Sequence, residues 1–149
     1  MLSYARLKTI GVQKQGENRR VVSGVLEDEL YGMQCEITVS WPDPVIETIQ
    51  TRMKRFTTTR CPLAEKVFVR AEGWKFDESL DSRIKKELGR EGCRHMAALI
   101  VDCCRAVARA ELAADLRIAM ERDPDLNRSE FVENFFGRYP GLKEYMRLR

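Results

Sequence analysis

Hydrophobic and polar residues alternate strictly over residues 31–41, with polar residues or glycine at every second position. One face is apolar and consists of Tyr31, Met33, Cys35, Ile37, Val39 and Trp41. A period of two residues predicts a β-strand with one buried and one solvated face. Residues 20–30 and 7–12 predict two further strands, with a turn at residues 15–18 between them. Because these connections are too short for crossover helices, we expect an antiparallel β-meander.

The apolar spacing changes to a helical one after Asp43-Pro44, a capping residue followed by a proline that suits the first helical turn. A first helix is therefore predicted over residues 45–56. A second is predicted from Cys61-Pro62, with the cysteine in the cap position and Gly73 at the end. A third is predicted from Asp77 to Gly89.

The longest predicted helix covers about residues 93–120 and contains no internal glycine or proline. Its apolar stripe includes Met96, Ile100, Cys103 and Val107. The pattern as a whole predicts the α+β class, in which an N-terminal antiparallel meander is followed by packed helices and one long helix near the C-terminus. We expect an α+β domain of residues 1–120 and a helical C-terminal extension of residues 121–149.

Composition is that of a globular domain: 44% of the 149 residues are hydrophobic, 33% are charged, and the net charge is +3. No apolar run approaches the roughly 20 residues of a membrane span. The first 14 residues lack the apolar stretch of a secretory signal. Five cysteines in such a chain indicate reduced thiols and a cytoplasmic location. The single histidine, His95, excludes metal centres that require two.

Two cysteines, Cys61 and Cys93, are predicted at helix starts, where unpaired N–H groups and the helix dipole stabilise a thiolate. His95 follows Cys93 by two residues, and Asp102 lies two turns further along the same helix face. Two thiolates and one imidazole suit zinc or iron. The sequence therefore predicts a metal site with Cys61, Cys93 and His95 as ligands and with Asp102 or water as the fourth donor. Cys35 and Cys103 lie on apolar faces and are expected to pack in the core.

The segment Gly92-Cys93-Arg94-His95-Met96 resembles the Gly-Cys-Thr-His-Leu motif of a bacterial family with no established activity, the domain of unknown function numbered twenty-eight eighty-nine. The resemblance covers roughly residues 4–118 and keeps the cysteine and the histidine. A fainter similarity is to iron–sulfur scaffold proteins of the IscU type. It implies an iron–sulfur cluster as the alternative to zinc, with Cys61 as the middle ligand. Cys35 departs from that pattern, because the scaffold proteins carry their first ligand in a loop.

Two other functions remain open. One is a thiol enzyme, with Cys93 or Cys61 as nucleophile and His95 as base. The other is an interaction module without catalysis. Residues 128–149 carry six large apolar residues, which must be buried against the domain, a second subunit or another protein. They are Phe131, Phe135, Phe136, Tyr139, Leu142 and Tyr145.

We expect this aromatic tail to serve self-association or a protein partner, because a turn at residues 135–140 places aromatic residues beside a break. The basic run at residues 52–55 is interpreted as a solvated helix face, so a nucleic-acid partner is not expected. No contact with a membrane is expected either.

Overall fold

The first half of the protein is a four-stranded antiparallel sheet in which each strand pairs with the next along the chain. The computed structural model describes residues 2–146, and Met1 and residues 147–149, the end of the predicted tail, lie outside it. The strands are β1 (Leu7–Lys14), β2 (Arg19–Glu27), β3 (Gly32–Ser40) and β4 (Ile46–Arg55). The three predicted strands and the meander are therefore confirmed.

The fourth strand corrects the sequence analysis, which placed a helix over residues 45–56. Ile46 and Ile49 both face the core although they are three positions apart, because Glu47 is an extra residue opposite the Thr38–Val39 step of β3. Such a bulge turns the period of two into a spacing that resembles a helix. The β-branched residues of this segment favour a strand: Val45, Ile46, Thr48, Ile49 and Thr51.

Short helical segments connect the sheet to the long helix. α1 (Glu65–Phe68) lies between two 3₁₀ turns, Cys61–Ala64 and Val69–Ala71. α2 (Leu80–Arg83) continues through a π-helical turn, Ile84–Leu88, into α3 (Gly89–Glu91).

The predicted helix end at Gly89 is wrong, because the chain stays helical to Glu91. A Cβ atom on Gly89 would lie only 3.1 Å from the Cβ of Ala97, so this glycine permits close helix packing instead. Gly73 has the positive φ, +90°, that was expected after the second helical segment.

The long helix α4 (Arg94–Arg122) confirms the predicted one and crosses the buried face of the sheet. His95 stacks on Tyr31 at one end of the sheet, and Glu111 forms an ion pair with Arg20 at the other. The opposite face of the sheet is polar, and Ser23, Glu36 and Gln50 are exposed on it. Within residues 2–146, no helix combines the length and the apolar character needed to cross a membrane.

The C-terminal extension packs against the domain. It forms α5 (Arg128–Arg138) and α6 (Pro140–Met146). Phe135, Leu142 and Tyr145 are fully buried in the same core as the sheet and α4. The Tyr145 hydroxyl donates a hydrogen bond to the carboxylate of Asp81 at 2.9 Å. The domain itself thus takes up these three residues of the tail, and the expected partner or second copy stays a prediction.

Candidate functional site

Most of the candidate residues lie at one end of the sheet. Gly32, which follows the turn between β2 and β3, pairs with Arg55 at the end of β4. The start of α4 reaches the same place, since the rings of His95 and Tyr31 have centroids 4.4 Å apart. Cys61 follows Arg55 by six residues. We call the β2–β3 turn, the end of β4 with the segment to Cys61, and the start of α4 the sheet end.

Cys93 is the N-cap of α4, as the sequence predicted. Its backbone is extended (φ −140°, ψ 124°), and its Sγ accepts a hydrogen bond from the backbone N–H of Met96 at 3.5 Å. The thiol is half-buried. Its sulfur therefore lies at the N-terminal end of a 29-residue helix, beside backbone N–H groups that have no partner within the helix.

The glycine before Cys93 has a packing role. A Cβ atom at Gly92 would lie 2.8 Å from the carbonyl oxygen of Leu88 and 3.3 Å from two ring atoms of Phe68. Any larger residue would push the start of α4 away from α1 and from the π-helical turn. The Gly-Cys pair of the motif therefore combines a close approach of three helical segments with a cysteine cap.

His95 and Asp102 do not act on each other directly. Asp102 lies seven residues further along α4, which is about 10 Å of helix rise. Its Oδ2 is 2.5 Å from the Nζ of Lys8 on β1. The imidazole of His95 is half-buried and stacks on the ring of Tyr31 at an interplanar angle of 34°. The structure therefore gives Asp102 a partner on the sheet and His95 an aromatic one.

Cys61 is the first residue of a 3₁₀ turn, and Arg60 takes the cap position expected for the cysteine. The Cys61 Sγ lies 3.5 Å from the Thr58 Oγ1, and the Cys61 N–H donates to the Thr58 carbonyl at 3.1 Å. Hydrogen bonding from the Thr58 side chain and backbone lowers the pKa of the Cys61 thiol from its ordinary value. The activation expected from a helix start thus comes from a neighbouring threonine.

A buried carboxylate at the sheet end was missed by the sequence analysis. Asp28 accepts hydrogen bonds from the Tyr4 hydroxyl, the Arg6 Nε, and the backbone N–H groups of Leu30 and Tyr31, all at 2.7–2.9 Å. Burial alone would raise the pKa of Asp28, but these four donors outweigh it and hold the pKa below its usual range. An aspartate that begins a short turn between strands is the signal that could have identified it.

Arg55 fixes the same turn from the side of β4. Its Nη2 donates to the Glu27 carboxylate at 2.7 Å and to the backbone carbonyls of Asp28 and Tyr31 at 2.6 and 3.1 Å. Together with Asp28, these contacts hold the ring of Tyr31 against His95. The surroundings of the imidazole are therefore built by three separate parts of the chain.

The other three cysteines belong to the core, as expected for Cys35 and Cys103. All three are at most 4% exposed, and the sulfur atoms of Cys35 and Cys103 lie 3.6 Å apart. Contact with Cys35 and then burial raise the pKa of the Cys103 thiol, and burial raises that of Cys104. The Cys103 and Cys104 thiols are therefore held neutral, and all three buried cysteines are shielded from reagents in the solvent.

These environments predict a sharp division in thiol reactivity. In the folded protein at neutral pH, a water-soluble disulfide reagent should modify Cys61 and Cys93, which are partly exposed. Cys35, Cys103 and Cys104 should react only after denaturation. Mass spectrometry of the labelled peptides measures this directly. Fast labelling of any buried cysteine under native conditions would contradict the packing described above.

The role of Thr58 can be tested with a matched pair of variants. Thr58→Val removes the hydroxyl that lowers the pKa of Cys61, so less thiolate is present at neutral pH and labelling of Cys61 slows. Thr59→Val makes the same change at the adjacent exposed threonine and should leave the rate unchanged. Equal rates in both variants would show that Thr58 does not activate the thiol.

The predicted ligands are only partly brought together. Cys93 and His95 share the start of α4, Cys61 lies on the segment that follows β4, and Asp102 faces Lys8. Over the described residues, no group of three or more His, Cys, Asp or Glu side chains is arranged to hold a metal ion. The four-donor site of Cys61, Cys93, His95 and Asp102 remains a prediction.

Comparison with known proteins identifies a family for the chain. The sequence model of the family described as "Protein of unknown function (DUF2889)" matches residues 5–109. This range includes the sheet, the segment with Cys61, and the first half of α4 with Cys93 and His95. None of the curated proteins and no solved structure matches the chain.

Proposed function

The chain belongs to the DUF2889 family, and from the geometry of its sheet end we propose that it binds a thiophilic metal ion, zinc or iron, through Cys61, Cys93 and His95. The observation that carries the proposal is the nature of the thiols there. Cys61 has a lowered pKa, and the Cys93 sulfur lies at a helix N-terminus two residues before the single imidazole. Sulfur and nitrogen donors of this kind are those that zinc and iron prefer.

Binding in this proposal requires a movement of the segment that carries Cys61. That segment contains three exposed threonines after β4 and leads into the 3₁₀ turn that begins at Cys61. The thiol is held in place by its contact with the hydroxyl of Thr58, one of these threonines. Metal ligation needs a deprotonated thiol, so the lowered pKa of Cys61 reduces the cost of releasing its proton. The ion would draw Cys61 towards Cys93 and His95, which α4 already holds two residues apart.

Asp102 is left out of the proposed ligand set, because its carboxylate forms an ion pair with Lys8. The fourth position would then be taken by water or by an exogenous ligand. Three protein ligands and one open position are typical of catalytic or transfer sites, whereas structural zinc sites are closed by four protein ligands.

Cobalt titration of protein purified without oxygen tests the proposal, with the metal content of the same preparation measured by mass spectrometry. Cobalt bound by thiolates absorbs in the visible and near-ultraviolet range, so the spectrum reports ligation directly. Each of Cys61→Ser, Cys93→Ser and His95→Gln should weaken cobalt binding by at least about tenfold. Even substitutions of residues that only hydrogen-bond to metal ligands lower metal affinity by about tenfold or more. Cys104→Ala and Asp102→Asn should bind cobalt like the natural chain.

Three results would overturn the proposal: no thiolate absorption with cobalt, affinity unchanged by Cys61→Ser and Cys93→Ser, or equal losses in Cys104→Ala. A loss of cobalt affinity in Asp102→Asn would restore the carboxylate as the fourth donor.

The thiol-enzyme alternative has less support. Within residues 2–146, the described hydrogen bonds include none between His95 and either cysteine, as a base and its nucleophile would need.

A further inference from the structure

A groove runs along the free side of β1, between this strand and α4. It is open to solvent and has a volume of about 590 Å³. Ile10 and Val12 form its floor on the strand side, and Ala106, Ala110 and Ala113 line the helix side. Small side chains at these three helix positions leave room above the strand. We call the space between these five residues the edge groove.

The two edges of the sheet differ in how they are covered. At β4, the carboxylate of Glu65 accepts a hydrogen bond from the backbone N–H of Met53 at 2.6 Å, and Lys75 forms a β-bridge with Val45. β1 pairs with β2 on one side only, and in residues 2–146 no segment pairs with its other side. An uncovered strand of eight residues presents backbone donors and acceptors that another strand can use.

The charges around the edge groove select its occupant. Lys8 is neutralised by Asp102, whereas exposed Arg109 lines the groove and forms no ion pair with any residue in the described part of the chain. Lys14, at the end of β1, is likewise paired with Glu17. A second copy that paired its β1 with this one about a two-fold axis would bring its own Arg109 to the same seam. Like charges opposite one another destabilise such a pair, so the groove disfavours its own copy.

We propose that the edge groove binds an extended, acidic peptide segment of a partner protein, which adds a fifth strand beside β1. Alternate side chains of a strand point to the same face, so every second residue of the peptide would lie beside Ile10 and Val12 and against Ala110 of α4. Those residues are small or β-branched and apolar. A carboxylate of the peptide meets Arg109. Strand addition of this kind takes its affinity from the backbone and its specificity from the alternate side chains.

The experiment is a selection of octapeptides displayed on phage against the full chain, followed by calorimetric titration of the selected peptides. We expect enriched sequences to alternate apolar residues and to carry an aspartate or glutamate. Ala110→Arg fills the groove and should weaken binding at least tenfold. Ile118→Arg places an arginine at an exposed position of α4 outside the groove and should leave affinity unchanged. Arg109→Glu should remove the preference for acidic peptides.

Hydrogen exchange locates the bound peptide. Backbone amides of β1 should become protected when the selected peptide is added, and those of β4 should not change. The proposal is overturned if no peptide is enriched, or if the selected peptides bind Ala110→Arg as well as the natural chain. It is also overturned if the protein sediments as a dimer that Ala110→Arg dissociates, because the occupant of the groove would then be a second copy.

Discussion

Deletion of residues 127–149 should strongly destabilise the domain, with a large fall in melting temperature or loss of folding. The deleted segment supplies Phe135, Leu142 and Tyr145, which are all 0% exposed. Truncating one such buried side chain to alanine typically costs about 2–5 kcal/mol. Whole domains are stable by only about 5–15 kcal/mol. Losing three buried side chains therefore removes a large part of the free energy of unfolding. Circular dichroism during heating and urea denaturation measure the effect.

Point variants separate the core role of the tail from an effect of chain length. Leu142→Ala should lower the stability by about 2–5 kcal/mol. Lys143→Ala, at the exposed neighbouring position, should leave it nearly unchanged. Sedimentation of the full and truncated chains tests the self-association expected from the sequence. A dimer that becomes a monomer with no fall in melting temperature would assign the tail to an interface and contradict its role in the core.

Gly24→Ala should destabilise the protein by about 1–3 kcal/mol, the usual cost of overpacking a core. Gly24 lies on β2 and faces α4. A Cβ atom there would be 2.6 Å from the Sγ of Cys103, 3.1 Å from Leu99 and 3.3 Å from the Sγ of Cys35. These neighbours have short or tightly packed side chains, so α4 itself must shift. Urea denaturation gives the change in the free energy of unfolding.

A compensating variant makes this prediction specific. Cys103→Ala removes the sulfur atom that the new methyl group would meet, so Gly24→Ala should cost less in that background than in the natural chain. Gly11→Ala, on the neighbouring strand with no atom within 4 Å of the added Cβ, is the matched control and should be nearly neutral. Equal costs for Gly24→Ala with and without Cys103 would show that close packing against this sulfur is not the cause.

The sequence alone determined the elements whose signal is local. Strict alternation identified β3, and an uninterrupted apolar stripe identified α4. Cys93 was recognised as a helix start because a glycine and a change of periodicity mark the boundary within a few residues. The same local signal failed at β4, where the bulge at Glu47 shifts the inward-facing positions and resembles a helix.

The tertiary structure alone decided which distant groups meet. Asp28 collects its donors from the N-terminal segment and from its own turn, and Asp102 pairs with Lys8, 94 residues away in the chain. The tail shows the same dependence. Its large apolar residues could be buried in several places, and the structure buries Phe135, Leu142 and Tyr145 in the core of the domain, with the Tyr145 hydroxyl on Asp81. The physical reason is that secondary-structure periodicity records which face of an element is buried. It does not record which partner buries that face.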